Sequence, residues 1–314
     1  MIKLGVIGMG HMGGYHASIC LNSHQATLVG IADPNPQLLE KIKSPDVIKS
    51  SDHSTWIDKV DGVIIAVPTQ LHYAIAKDCL SRGKHVLIEK PLTNDLAQAA
   101  ELFDIARQQS LTLHVGHVER FNGAVQELKK IIDQPYLIES YRMGPFSPRV
   151  QKDSVILDLM IHDLDIVLGL VNAPVQKFGV QGTKIHSSSC DIAAVNITFE
   201  NGVIANLISS RASHIKKRTM AIHQKDAYIE LDFTTQNIAI HRHASTSVQV
   251  GEFEMKYKRE TLVEHLFVYK DNPLKLEIEH FITTIATKKD MVNPDQDLGA
   301  LALTFDIERA LGLR

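Results

Sequence analysis

Short apolar runs alternate with stretches of helical periodicity over the first 120 residues. The run IKLGVIG leads into a helix-like stretch, and DGVIIAVP (61–68) is almost continuously apolar, which is typical of a strand buried on both faces. The later elements predicted from this pattern are a helix at 72–83, a strand at 85–90, a helix at 94–110 and a strand at 112–118. Strands alternating with helices in this way predict an α/β fold with a doubly wound parallel sheet.

The pattern changes from about residue 121. A helix (VQELKKIID) and a strand (LIESYRM) precede a Pro-rich loop and a further helix, and strand-like runs then follow at roughly ten-residue spacing, with a hairpin signal at ENG (200–202). Two helices end the chain. We therefore expect a first domain at 1–120 and an α+β domain at 121–314 with a large, mostly antiparallel open sheet. An outer sheet face rich in Val, Ile and Leu would make a homodimer or homotetramer.

Composition narrows the class of protein. The 314 residues are 44% hydrophobic and 22% charged, with a net charge of −3, and no large positive field favours nucleic acid. The three cysteines, Cys20, Cys79 and Cys190, are far apart, so the sequence predicts neither a disulfide framework nor a metal site. No stretch approaches ~18 uninterrupted apolar residues and no signal peptide is evident, so we expect a cytoplasmic protein with no membrane partner.

A glycine-rich loop follows the first strand and opens a helix. In GMGHMG, Gly8 permits the tight turn, Gly10 lets a pyrophosphate approach and Gly13 lets the helix pack on the strand. The expected cofactor-binding residues here are Gly8, Met9, Gly10, His11, Met12 and Gly13. Asp33 ends the second strand, where a carboxylate accepts hydrogen bonds from an unmodified ribose, so the sequence predicts NAD rather than NADP. The alternative for Asp33 is a helix cap or an Asx-turn before Pro34.

Other candidate residues follow the later strands, because ligands bind beyond the carboxyl ends of parallel strands. Pro91 comes directly after a strand and suggests a sharp turn, for which a cis bond is one solution, that fixes the direction of Lys90. The alternative is that Lys90 is an ordinary surface lysine. The cofactor-binding residues predicted at these strand ends are Val67, Pro68, Thr69, His72, Glu89, Lys90 and His117.

The stretch ILDLMIHDLDIVL (156–168) reads as a buried helix with one polar stripe. At ~100° per residue, Asp158, His162 and Asp165 fall within roughly 60°, and Asp163 points away. A buried ionisable stripe is costly unless it is paired or in use. The alternatives are an ordinary i,i+4 pair between Asp158 and His162, or a metal site of the HD-phosphohydrolase type, which leaves the glycine loop unexplained.

The whole chain resembles the glucose–fructose oxidoreductase, inositol dehydrogenase and rhizopine catabolism (Gfo/Idh/MocA) oxidoreductases. The resemblance rests on GMGHMG, PTQLH (68–72), EKP (89–91), GHVERFN (116–122) and DLMIH (158–162). It implies a Rossmann domain and hydride transfer between a sugar-type secondary alcohol and the nicotinamide. By the same resemblance, Lys90, Asp158 and His162 are the catalytic residues. The remaining alternatives are an inositol or free-sugar dehydrogenase and a non-catalytic NAD sensor.

Positive residues near the polar stripe suggest a substrate class. Arg149 and Lys152 lie in the loop GPFSPRVQKDSV, and Arg120 and Arg142 lie upstream. Guanidinium groups bind phosphate in a two-pronged manner, so a nucleotide sugar is favoured, although each residue alone could be a solvated cation. This part of the chain resembles the UDP-N-acetylglucosamine 3-dehydrogenase branch of the family. The expected substrate-binding residues are Lys90, Arg120, Asn122, Arg142, Arg149 and His162.

Overall fold

The computed structural model describes residues 1–147, 153–249, 255–289 and 294–314. They form two compact units, the first made of 1–121 and 272–302 and the second of 122–271 and 303–314. The first boundary lies within one residue of the expected one. The segment 272–302, which the sequence analysis assigned to the second domain, instead belongs to the first unit. Helical periodicity predicts the helices in this segment but does not specify which sheet they pack against.

The first unit is a Rossmann domain. Its six strands are β1 (Ile2–Ile7), β2 (Ala26–Ala32), β3 (Ile48–Ser50), β4 (Gly62–Ile65), β5 (His85–Glu89) and β6 (Leu113–Gly116). They form one parallel sheet in the order β3-β2-β1-β4-β5-β6. Its helices are α1 (His11–Leu21), α2 (Pro36–Leu39), α3 (His72–Ser81), α4 (Leu96–Gln108) and α7 (Pro273–Thr287). This confirms the expected doubly wound parallel sheet.

Trp56 and helix α7 both pack against the parallel sheet. Trp56, which is 1% exposed, lies against Gly5 and Gly30, where a Cβ would come within 2.1 and 2.5 Å of its ring. In another part of the unit, apolar residues of α7 recur at helical spacing and join the core formed by β1, β2, β4 and β5. These α7 residues are Ile278, Phe281, Ile282 and Ile285. The burial of this stripe explains why residues 272–302 belong to the Rossmann unit.

The second unit contains one eight-stranded sheet. Its strands are β7 (Leu137–Met143), β8 (Val175–Thr183), β9 (Ile192–Phe199), β10 (Ile204–Ser210), β11 (Lys217–Gln224), β12 (Ala227–Asp232), β13 (Asn237–Gln249) and β14 (Met255–Leu266). The order is β14-β13-β12-β11-β7-β10-β9-β8, and every pair except β7–β10 is antiparallel. Its helices are α5 (Gly123–Ile131) and α6 (Ile161–Val171), and α8 (Pro294–Ala310) contributes its residues from Leu303 onward. The expected antiparallel open sheet is confirmed.

The outer face of this sheet differs from the expectation of a surface rich in Val, Ile and Leu. The apolar residues of β9 and β10, such as Val195, Ile197 and Leu207, point inward to the core. The outward positions carry mixed side chains, and Asn196 donates a hydrogen bond to Asn206 across the two strands. Strand alternation explains the difference, because each apolar residue used by the core leaves its neighbours for the other face.

The sequence does not predict β3 or β14. β3 has only three residues, and β14 (MKYKRETLVEHL) is rich in charged residues, so neither gives an apolar run. Within the described residues, no helix has both the length and the apolar character needed to cross a membrane.

Candidate active site

The loop between β1 and α1 has the backbone shape of a dinucleotide-binding turn. Gly8 has a φ of +88°, and a Cβ at this residue would lie 2.6 Å from the carbonyl oxygen of Ala66. A Cβ at Gly13 would lie 1.7 Å from the carbonyl oxygen of Gly8. Gly10 faces open space, and among the described residues no side chain caps the start of α1. The exposed N–H groups and the space before Gly10 therefore fit a pyrophosphate.

A cavity of about 460 Å³ opens beside this loop. The sequence-predicted cofactor residues in its walls are Gly8, Gly10, Asp33, Val67 and Pro68. Leu71 and Ile75 add apolar surface, which suits a flat base. Three further predicted cofactor residues lie in the nearby segments in different environments, since the side chain of Met9 is fully buried, Met12 is half-buried and His11 is exposed. Thr69 begins a short 3-10 turn next to the cavity.

Asp33 is 9% exposed and already accepts two backbone hydrogen bonds. The Met9 N–H donates to Oδ2 at 2.7 Å, and the Asn35 N–H donates to Oδ1 at 2.8 Å. The second bond is the Asx-turn that the sequence analysis kept as an alternative. Each carboxylate oxygen has a further lone pair, so the turn and a ribose contact are compatible. A negative charge in this cavity wall also disfavours a 2′-phosphate.

The end of β5 carries Glu89 and Lys90. The Lys90–Pro91 bond is cis, as the sequence suggested, and Lys90 is half-buried. Glu89 lies 2.7 Å from Nε2 of His16, a wholly buried residue of α1. This contact joins the EKP segment to the helix that follows the glycine loop. The sequence predicts Glu89 as a cofactor-binding residue, and in the structure its carboxylate contacts His16 inside the first unit.

Behind Glu89 lies a buried cluster that the sequence did not reveal. Glu277 of α7 is 0% exposed, and both its carboxylate oxygens are without hydrogen-bond partners in the described structure. Burial, and then the charge of Glu89, raise the pKa of Glu277 to about 8. Oε1 of Glu277 lies 3.6 Å from Nε2 of His114, whose pKa burial lowers to about 4. Both groups are therefore uncharged near pH 7. The signal available in the sequence was that Glu277 falls on the apolar stripe of the helical pattern, next to Ile278 and Phe281.

The GHVERFN segment is mostly structural in its observed contacts. His117 is 3% exposed and lies 3.9 Å from Asp297. Arg120 donates to the same carboxylate at 2.5 Å. Asn122 accepts the Ala124 N–H at the start of α5 and is 2% exposed. These contacts favour structural roles for Arg120 and Asn122 over the substrate contacts expected from the sequence.

The polar stripe begins on an unusual turn in the second unit. Residues Ile156–Met160 form a π-helical turn, and α6 continues from Ile161. Asp158 and His162 are both half-buried, whereas Asp165 is 1% exposed. A π turn changes the angular spacing of side chains, so the uniform 100° projection does not describe this stretch. Such turns occur often at functional sites, where they re-aim a side chain.

Arg142 and Asp163 form a buried ion pair in the same unit. Nε and Nη2 of Arg142 each lie 2.9 Å from an Asp163 oxygen, and the guanidinium lies 4.8 Å above the Phe233 ring. Asp163 thus points towards β7. Arg142 is only 2% exposed, which favours a structural role over the predicted phosphate contact. Arg149 and Lys152, the two loop cations expected there, lie outside the described residues.

Comparisons with known proteins agree with this geometry. Residues 2–117 match the model of an oxidoreductase family with an NAD-binding Rossmann fold, and residues 122–230 match the GFO/IDH/MocA C-terminal domain. The chain belongs to the Gfo/Idh/MocA family. As a member of this family, it is an oxidoreductase with an NAD-binding domain, which confirms the enzyme class inferred from the motifs.

Relatives within the Gfo/Idh/MocA family include sugar and cyclitol dehydrogenases. The UDP-N-acetylglucosamine 3-dehydrogenase of Acidithiobacillus ferrooxidans is 33% identical over 92% of this chain and 90% of its own. A solved structure of that enzyme is 30% identical and covers 98% of this chain and 97% of its own, with a TM-score of 0.88. The myo-inositol 2-dehydrogenase of Thermotoga maritima is 23% identical over 99% of this chain and 96% of its own.

Proposed function

We propose that this protein oxidises a ring hydroxyl of a UDP-linked amino sugar, such as UDP-N-acetylglucosamine, with NAD as the hydride acceptor. The observation that carries the proposal is the difference in similarity among its relatives. Identity is 33% to the enzyme named for that nucleotide sugar and 23% to the myo-inositol enzyme, each over more than nine-tenths of this chain. Oxidation of an inositol or a free sugar is the second candidate, and the full-length likeness to the inositol enzyme favours it.

The cofactor proposal rests on the first unit. When bound, NAD accepts a hydride from the carbinol carbon. The N–H groups at the start of α1 and the backbone at Gly10 hold the pyrophosphate, and the walls of the 460 Å³ cavity hold the adenosine. Asp33 binds the ribose hydroxyls and selects NAD over NADP.

Three residues serve the reacting hydroxyl in this proposal. Lys90 places a positive charge where alkoxide character develops. The imidazole of His162 is one candidate acceptor for the hydroxyl proton, and Asp158, in the preceding turn, orients it. As hydride leaves carbon, the hydroxyl proton passes either to His162, with Lys90 charged throughout, or to the neutral amine of Lys90, which becomes the positive charge by accepting it. The pH profiles of single variants distinguish these two assignments.

The test is a substrate screen that follows reduced-nicotinamide absorbance. Inositols, free hexoses and nucleotide sugars are compared, and we expect turnover with UDP-N-acetylglucosamine and competitive inhibition by UDP. Arg149→Ala is expected to raise KM for the nucleotide sugar, whereas Arg107→Ala, an exposed arginine of α4 paired with Asp104, is the matched control and leaves it unchanged. If UDP does not compete and Arg149→Ala leaves KM unchanged, the nucleotide-sugar proposal fails while a dehydrogenase role survives.

A non-catalytic NAD sensor gives a different result in the same assay. Such a protein binds NAD but turns over no member of the panel. Reduced cofactor bound to the purified protein would also keep its absorbance when keto sugars are added. Bleaching of that absorbance supports the dehydrogenase.

We also propose that the protein is a homodimer or homotetramer that associates through the outer face of the second unit's sheet. A depression of about 540 Å³ on this face is lined by residues of β8, β9 and β10, including Ala194, Asn196 and Ile208. Light scattering on Ala194→Arg is expected to give a smaller mass than on the unchanged protein.

The three cysteines of the protein are free and buried, which supports a reducing, cytoplasmic location.

A further inference from the structure

His72 makes two backbone contacts that the sequence analysis did not foresee. It is the first residue of α3 and is 1% exposed. Its Nε2 lies 2.9 Å from the carbonyl oxygen of Val67, and its Nδ1 lies 2.9 Å from the carbonyl oxygen of Pro91. Both ring nitrogens of His72, a residue that the sequence predicts to bind the cofactor, thus face backbone carbonyls of the protein.

The two carbonyls belong to segments with different tasks. Val67 lines the cofactor cavity and packs on the glycine loop, because a Cβ at Gly8 would lie 2.8 Å from its Cγ1. Pro91 follows Lys90 directly and begins the buried run 91–93. At the end of that run, the Thr93 hydroxyl donates to the Asp95 carbonyl at 2.6 Å. The ring therefore bridges the cofactor cavity and the segment that carries the lysine.

We propose that His72 is a positioning residue that fixes the cofactor-cavity wall and the Lys90 segment relative to each other. This inference rests on the proposed dehydrogenase function, in which Lys90 acts at the reacting hydroxyl. The bond to Val67 holds the wall against which NAD binds. The bond to Pro91 holds the backbone from which the Lys90 side chain extends.

The two hydrogen bonds of the His72 ring use different nitrogens, Nδ1 for Pro91 and Nε2 for Val67. Both partners are acceptors, so both bonds form together only when the ring carries two N–H groups. Burial lowers the pKa of His72 against the opposing effect of the carbonyls and Glu89, and the N-terminal end of α3 also disfavours a cation. A neutral imidazole donates to one carbonyl at a time, so the bond to Val67 belongs to the tautomer with the proton on Nε2 and the bond to Pro91 to the tautomer with the proton on Nδ1. Each bond can therefore be preserved or removed by itself.

Two conservative variants separate the bonds. The amide nitrogen of Asn stands in for Nδ1, and that of Gln stands in for Nε2. His72→Asn is expected to keep the Pro91 bond, with kcat nearly unchanged and NAD binding weakened by up to about tenfold, the fold-change expected for one lost hydrogen bond. His72→Gln is expected to keep the Val67 bond, with near-normal NAD binding and a lower kcat.

Two measurements are independent of turnover. The dissociation constant of NAD is obtained by fluorescence titration without substrate. The rate of Lys90 acetylation by acetic anhydride is obtained by peptide mass spectrometry, and we expect it to change in His72→Gln but not in His72→Asn. Thermal unfolding of both variants, with exposed His24→Asn as the control, shows whether a change is only a loss of stability.

The outcomes separate this inference from the proposed function. The opposite pattern, or equal effects of the two variants on NAD affinity and Lys90 acetylation, overturns the positioning role. So does a pair of variants that leave both readouts at the unchanged protein's values. If the unchanged protein oxidises no sugar in the screen, the proposed function fails, but NAD affinity and acetylation still report on the His72 bonds.

Discussion

Oε1 of Glu277 lies 3.6 Å from Nε2 of His114 inside the Rossmann unit, and burial keeps both groups uncharged near pH 7. A carboxyl group with a raised pKa binds its proton more tightly in the folded state than in the unfolded state. Stability is therefore lost as pH rises from the unfolded value of 4.5 to the folded value of about 8.

We predict that Glu277→Gln removes the loss of stability that Glu277 causes as pH rises. The pKa of His114 is about 4 in the folded state and 6.5 in the unfolded state, so His114 makes the protein more stable as pH rises from 4 to 6.5. Up to about pH 6.5 this gain in stability offsets the loss that Glu277 causes. The free energy of unfolding of the unchanged protein should then fall between pH 6.5 and 8 by on the order of a few kcal/mol. Urea titrations at several pH values measure it.

The matched control is Glu279→Gln on the same helix, where the carboxylate is partly exposed and lies near Lys275. We expect this variant to follow the unchanged protein. If Glu277→Gln also follows it from pH 6.5 to 8, Glu277 is already ionised in the folded state and the uncharged assignment is wrong.

If Lys90 and His162 are catalytic, replacing either residue should lower turnover without weakening NAD binding or stability. Lys90→Met and His162→Ala should each lower kcat by roughly 10²-fold or more, the range for loss of a general acid–base group. The dissociation constant of NAD and the unfolding temperature should change little. Stopped-flow kinetics and NAD titration measure these effects, with His24→Ala as an exposed control. Near-normal turnover in either variant removes that residue from the mechanism.

Cofactor selection depends on the charge of Asp33. Asp33→Asn keeps the side-chain size but removes the charge that repels a 2′-phosphate. We predict that the ratio of kcat/KM with NAD to that with NADP falls at least about tenfold, equivalent to ~1.4 kcal/mol. Asp52→Asn is the control, because Asp52 lines the same cavity but accepts the Ser54 N–H in its own turn. An unchanged protein that uses NADP more efficiently than NAD would contradict the assignment.

The buried pair of Arg142 and Asp163 should matter for stability. Arg142→Met leaves a buried carboxylate uncompensated and is expected to cost about 3–5 kcal/mol of unfolding free energy. The double variant Arg142→Met with Asp163→Leu should recover much of this loss, as measured by urea unfolding followed by circular dichroism. If Arg142→Met instead raises only KM for the nucleotide sugar, Arg142 is a phosphate ligand, as the sequence had suggested.

The glycine loop and the strands β1, β2, β4, β5 and β6 of the Rossmann unit could be predicted because their signals are local. The glycine loop, the apolar strands and Pro91 each constrain a few neighbouring residues, and their backbone conformations follow from those residue types. The turn that holds Asp33 was predictable for the same reason. The cavity beside the loop followed from the rule that ligands bind at the carboxyl ends of parallel strands.

The contacts that sequence reasoning missed connect residues far apart in the chain. Glu277 joins Glu89 and His16 only after α7 packs on the sheet, and Arg142 meets Asp163 only after β7 and α6 come together. Burial of an arginine is not visible in its local sequence. The π turn at Ile156–Met160 could not be predicted from the sequence, because ILDLM contains no glycine or proline that would mark an interruption of the helix.

The return of α7 to the Rossmann unit has a consequence for any attempt to isolate a cofactor-binding fragment. A fragment cut at residue 121 would lack Ile278, Phe281, Ile282 and Ile285 and would bare the apolar surface of β1 that they cover. Such a fragment is expected to aggregate. An autonomous half-protein would need residues 272–302 spliced onto 1–121 by an engineered linker, since the unit is discontinuous in the gene.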